Sequence, residues 1–115
     1  SLPDWRRITE AVKAEPWGPF TTQLLQALEL AEDRGVRKTL ERAVLHARAD
    51  VEQAARREVR RRLATLVRES GLTAAEFAVR LGTSPSRLST YLSGKVVPSA
   101  ALVVRAERIT ERART

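Results

Sequence analysis

At 115 residues, with no cysteine, 43% hydrophobic residues and a formal net charge of +7, the chain suits one domain, or one small domain with a helical extension, and leaves little room for enzyme machinery. The absence of cysteine removes disulfides and thiolate metal sites and is compatible with a reducing interior. With two Phe, two Trp and one Tyr, the core must come mainly from Leu, Val, Ile and Ala, as in helical bundles; strand signals are lacking. The charge is uneven: residues 1–55 carry 8 Lys/Arg against 9 Asp/Glu, and residues 56–115 carry 13 against 5. Such a field gathers a polyanion, nucleic acid first among them, while an arginine-rich solvated surface is the plainer reading. No apolar run approaches a membrane span and no signal-peptide pattern appears. The chain opens on Ser1 instead of Met, so residues beyond its ends are expected.

Leu2, Trp5, Ile8 and Val12 recur at helical spacing after Pro3 and predict a helix over about 3–15, ended by "PWGP" at 16–19. A second helix is expected over about 21–34, with Leu24, Leu25, Leu28 and Ala31 on one face and Gly35 as terminator. From Val36 to Ser70 there is neither Gly nor Pro, and Leu40, Val44, Ala47, Val51, Ala54, Ala55, Val59, Leu63 and Leu66 follow at steps of three or four. One helix of that length would run about 50 Å. The expectation is either a break near Ala49–Glu52 or an extended helix packed on a partner chain.

Ser70 and Gly71 then stop the helix, and "TAAE" at 73–76 forms a capping box that starts a short one. Phe77, Ala78 and Leu81 give its buried stripe, with Gly82 at its end. Ser84 before Pro85 caps the next helix, so a three-residue turn separates the two. In that helix Leu88, Tyr91 and Leu92 fall on the packing side, and Ser86, Thr90 and Ser93 on the opposite side, flanked by Arg87 and Lys95. Gly94 ends it; Ser99 caps a last helix whose Leu102, Val103, Ala106 and Ile109 close the core.

"GLTAAEFAVRLGTSPSRLSTYLSGKVVPSAALVVRAERI", residues 71–109, resembles the helix-turn-helix of the Cro/lambda-repressor (Xre) family. The likeness rests on Leu72-Thr73, Phe77-Ala78, Leu81-Gly82-Thr83-Ser84, Leu88-Ser89, Tyr91, Gly94-Lys95 and Pro98, and with the preceding helix it covers about residues 57–110. It implies an all-α fold: a five-helix bundle preceded by an N-terminal helical extension with a long connecting helix. In that family the second helix of the pair enters the major groove. Carried over by position, Pro85, Ser86, Arg87, Ser89 and Thr90 are candidates for base contact. Thr73, Ser84, Ser93 and Lys95 are candidates for phosphate contact, joined by Arg60 and Arg61 from "RREVRRR" at 56–62, and Arg87 also counts as a backbone candidate. Two departures stand out: Ala74 where the family commonly has Gln, and Pro85 where a long polar reader is common. Thr90 and Pro85 would then read through methyl contacts and DNA shape.

The expectation is a non-enzymatic, sequence-specific regulator of bacterial or phage type, acting as a repressor in the cytoplasm and on the nucleoid when DNA-bound. Its partners are double-stranded DNA, a second copy of the chain, and a protein docking on the N-terminal helices. Residues 1–55 would be the dimerisation or partner-binding region and 56–115 the DNA-binding domain. Other readings are an antitoxin whose N-terminal helices bind a toxin, and a helical interaction protein whose helix-turn-helix no longer binds DNA. No cofactor is expected. The lone His46 lacks metal-ligand spacing. Trp5 and Trp17 read as core or interface anchors. Glu32, Asp33, Glu41 and Asp50 lack convergent acid-base geometry.

Overall fold

The computed structural model describes the backbone from residue 2 to 115 and side chains from residue 4 onward. Those residues form six helices and no strand: α1 (Leu2–Ala14), α2 (Pro19–Glu29), α3 (Arg34–Ser70), α4 (Ala74–Leu81), α5 (Pro85–Leu92) and α6 (Ala100–Arg114). They divide into two compact units, residues 1–53 and 54–115. The division falls inside α3, which has no break at 49–52.

In the first unit, the turn after α1 is closed on one carbonyl. The Gly18 N–H and the buried Thr21 hydroxyl both donate to Glu15 O, each at 2.9 Å. Val12, Val44 and Ala47 form a small core with Leu24 and Leu25 packed against it. Trp5 and Trp17 are not core residues, since they are 37% and 51% exposed. Trp17 instead lies under the Arg48 guanidinium, 5.6 Å from the ring centroid, while Arg48 Nε donates to Pro16 O at 2.9 Å. That arrangement covers one aromatic face with the cation's planar group and leaves the rest wet. The side chain of Leu2 lies outside the described residues.

Residues 30–34 depart from the expected second helix. α2 stops at Glu29, its last turn tightened by Leu30 N–H to Ala27 O at 3.1 Å and Ala31 N–H to Leu28 O at 3.2 Å. Gly35 terminates nothing; it sits in the first turn of α3, where Asp33 Oδ1 accepts from the Gly35 and Val36 amides at 2.9 and 3.1 Å. Asp33 thus caps α3 by satisfying two orphan donors, which is why the new helix begins there.

The second unit is built on a fuller core. Leu63, Phe77, Ala78, Leu81, Leu88, Tyr91, Leu102 and Ala106 are buried together, with Leu66, Val67, Leu72, Leu92 and Ile109 packed around them. Its helical segments are the C-terminal part of α3, then α4, α5 and α6, four instead of the five expected. After Pro98, Ser99 caps one 15-residue helix that runs to Arg114, so no further turn creates a fifth. α6 is tied back to α3 by the buried Thr110 hydroxyl, which donates to Leu66 O at 2.8 Å, and by Arg114 to Glu69 at 3.3 Å. Val51, Ala54 and Ala55 are exposed in the single chain, so the expected apolar seam of α3 is uncovered across its middle.

Candidate nucleic-acid interface

The α4–α5 pair is fixed at each end by its own sequence. The Thr73 hydroxyl accepts from the Glu76 amide, and Glu76 Oε1 accepts from the Thr73 amide, each at 3.1 Å, completing the capping box. The Thr73 amide donating to the Glu76 carboxylate is the chief reason that carboxyl is held below its ordinary range. At the other end of α4, Gly82 takes φ +82°, a left-handed backbone that a side chain would strain. The Thr83 amide bonds Ala78 O at 3.0 Å, and the Ser84 hydroxyl accepts from the Arg87 amide at 3.1 Å. With Pro85 at the first position of α5, the turn comprises Gly82, Thr83 and Ser84 alone.

α5 is thereby oriented by its buried side. Leu88 is fully buried and Tyr91 nearly so, leaving Pro85, Ser86 and Ser89 exposed and Thr90 half-buried at the rim. Tyr91 is a packing residue, as its register with Leu88 predicts. Two outward hydroxyls spend their protons on the helix itself: Thr90 Oγ1 donates to Arg87 O at 2.6 Å and Ser93 Oγ to Thr90 O at 3.2 Å. Each then offers lone pairs outward, suited to accepting from an exocyclic amino group, and Thr90 adds its methyl.

The cations flanking α5 are of two kinds. Glu58 binds both Arg61 and Arg62, accepting from Arg62 Nε at 3.1 Å and from Arg61 through both Nε and Nη2. Those two partners, Arg61 first, hold the Glu58 carboxyl below its usual range. Arg61 consequently keeps only its Nη1 end free. Arg60 faces the other way: a Cβ placed on Gly94 would lie 3.1 Å from Arg60 Nη1, so its guanidinium rests on the glycine that follows α5. Neither Arg60 nor Lys95 enters an ion pair among the described residues. An open hollow of about 530 Å³ at Arg60 is lined also by Arg57, Arg61, Glu58, Ala54, Ala64 and Leu92.

Several sequence candidates therefore gather around α5. Ser84, Pro85, Ser86, Arg87, Ser89, Thr90 and Ser93 lie on or cap it, and Lys95 follows it. Arg60 meets the turn after it, and Thr73 stands separately at the N-terminus of α4. Sequence reasoning missed the Glu58 clamp, although Glu58 with Arg61 and Arg62 at spacings of three and four is a legible signal. It also missed the bond from Arg87 Nε to the Tyr91 hydroxyl at 3.0 Å. Among the described residues no cluster of His, Cys, Asp or Glu could hold a metal, and no helix is long and apolar enough to cross a membrane.

Residues 58–113 match the family model described as a helix-turn-helix domain. Neither the curated proteins nor the solved structures contain a match to the chain.

Proposed function

From the premise that residues 58–113 are a helix-turn-helix domain of the Cro/Xre type, we infer that the protein is a sequence-specific DNA-binding regulator that inserts α5 into the major groove. The observation that carries this reading is the geometry of α4, the three-residue turn and α5. A capped, well-packed helix presents small polar side chains on its free face, and at its margins stand Arg60 and Lys95, which enter no ion pair among the described residues. Ser86, Ser89 and Thr90 accept hydrogen bonds from base edges, and Pro85 and Thr90 pack on thymine methyls. Thr73, Ser84, Lys95 and Arg60 engage phosphate, with Arg61 contributing through the end that Glu58 leaves free, and Ser93 joins them once its hydroxyl turns from Thr90 O to donate outward.

The helix-turn-helix family is not an enzyme family, and DNA occupancy is the activity to measure. We read the protein as a bacterial repressor whose occupancy of an operator excludes other proteins. Residues 1–55 pair two chains so that two α5 helices reach successive major grooves, about 34–36 Å apart, on an inverted repeat. A randomised duplex library bound at moderate salt, with the mass of the complex determined alongside, tests this. The expected result is an enriched inverted repeat held by two chains. Binding without enrichment would remove sequence-specific recognition from the reading.

A second reading has its own support. The first unit exposes Trp17, Phe20, Leu30 and Leu45 at 51%, 43%, 86% and 65%, large apolar side chains of the kind that anchor protein contacts. In an antitoxin-type regulator those residues would hold a protein partner while the second unit binds DNA. Co-purification of a stoichiometric partner from the native host, lost on replacing Leu45 with Arg, is the result that would favour it.

A further inference from the structure

We propose that Tyr91 is a positioning residue for DNA binding: its hydroxyl holds the Arg87 guanidinium at the flank of α5 as a preformed fork for a backbone phosphate. This rests on the reading of α5 as the helix that enters the groove. It also assigns Arg87, a candidate for both base and backbone contact, to the phosphate group alone.

At 3.6 residues per turn, Arg87 stands between the outward pair Ser86 and Thr90 and the inward Tyr91, one turn further on. An unrestrained arginine there could swing over the outward face toward base edges. Here Nε donates to the Tyr91 hydroxyl at 3.0 Å, and the guanidinium carbon lies 5.9 Å from the ring centroid. Both contacts draw the group toward the packed side of the helix. The ring is itself immobilised, with Tyr91 only 6% exposed in the core beside Leu88. The anchor is therefore rigid where the arginine is exposed.

What the anchor leaves free sets the ligand. With Nε occupied, the side-on pair of donors is broken and the two terminal amino groups remain, an end-on fork that matches two oxygens of one phosphate. For a helix in the major groove, the outward face meets base edges and the flanks meet the sugar-phosphate walls, which is where this fork lies. No carboxylate competes for it among the described residues; the acidic partner nearest in the basic run, Glu58, is engaged by Arg61 and Arg62. Fixing the arginine before binding also removes part of the side-chain entropy cost of ordering it in the complex.

The test is a double-mutant cycle on the whole chain: wild type, Tyr91→Phe, Arg87→Ala and the double variant, each titrated with the library-selected duplex and with a random duplex over a range of salt. Tyr91→Phe keeps the ring and its packing, which thermal melting verifies. Expected is a loss of about two- to tenfold for Tyr91→Phe, the range of one hydrogen bond's net worth, equal on both duplexes and absent in the Arg87→Ala background. Arg87→Ala should lower the salt slope by about 1, the signature of one lost phosphate contact. Arg87→Lys, which keeps the charge but has no guanidinium Nε for Tyr91, should keep the slope and be insensitive to Tyr91→Phe. Unchanged binding by Tyr91→Phe, or the same loss with Ala at 87, overturns the proposal while leaving the functional reading intact. A loss confined to one base pair of the selected site does the same, by making Arg87 a base reader. Failure of the wild type to bind any duplex overturns both.

Discussion

The two units are both helical, yet they are held together differently. In the second, each of α4, α5 and α6 starts on a hydroxyl that accepts a backbone amide, from Thr73, Ser84 and Ser99, and the helices close over eight mutually packed buried residues. In the first, three residues form the corresponding cluster, and large apolar side chains from Trp17 to Leu45 remain exposed. A small domain gains stability roughly in proportion to apolar area removed from water. The second unit therefore carries what it needs within the single chain, whereas the first presents surface suited to a further partner. The contrast is between a unit whose helices are fixed by their own caps and a full core and one whose large apolar side chains stay exposed in the single chain.

Core truncations give the largest effects and can break this comparison. Phe77, fully buried at the centre of the second unit, should cost about 3–5 kcal/mol when replaced by Ala. Leu28 is buried to 5% exposure in the first unit but belongs to neither core cluster among the described residues, so Leu28→Ala should fall near the bottom of the range of about 2–5 kcal/mol. Urea unfolding followed by helical signal measures both. Equal losses would mean that the first unit is as well packed as the second.

Capping sets the next scale. Thr73→Ala in the second unit and Asp33→Ala in the first each remove a side chain that caps a helix, and each should cost about 1 kcal/mol by the same measurement. If the first unit is held mainly by local contacts, Asp33→Ala will lower its stability by the larger fraction. Hydrogen exchange at the start of α3, at Gly35 and Val36, should then accelerate more than at the start of α4.

These caps also explain what was legible in the sequence. Thr73 to Glu76, Gly82, Ser84-Pro85 and Ser99 are local signals that act over three or four residues, and the boundaries they imply are those found. Around residues 30–35 two signals competed. Leu30, Ala31 and Glu32 carry on a good helix-forming run, and Gly35 resembles a terminator, whereas the Asp33 carboxylate capping the following amides decided the outcome. An aspartate two residues ahead of a glycine reads either way until the tertiary path is known. Trp17 shows a second limit, because its composition favours burial but its place at a turn beside Arg48 leaves half of it in water. At α5, periodicity gave the inward and outward faces. It carries no information on hydrogen bonds between flanks, so the Arg87 bond to Tyr91 is visible only in the folded chain, and the pairing of Arg61 with Glu58 engages part of a cation that the sequence alone leaves free.

The smallest expected effect separates charge from hydrogen bonding in the capping box. The Glu76 carboxyl is held below its ordinary value chiefly by the Thr73 amide, with the Thr73 side chain next and Arg80 the weakest contributor. A carboxyl depressed in the folded state binds fewer protons there than in the unfolded chain. Its contribution is thus fully present above the unfolded pKa and is lost as pH falls through the folded one. Stability of the second unit should accordingly decline on acidification through and below the ordinary carboxylate range. Glu76→Gln retains an oxygen to accept from Thr73 but does not titrate, so it should melt slightly lower at neutral pH and show a shallower decline in acid. Glu58→Gln provides the comparison, since that carboxyl is lowered by Arg61 and Arg62 on the surface of α3. Added salt should flatten the acid response that Glu58 contributes more than the one from Glu76, because exposed ion pairs are screened while a bond to a backbone amide depends less on distant charge. An equal salt response would make the Glu76 effect electrostatic, through Arg80, and would remove the backbone bond as the principal cause of its depressed pKa.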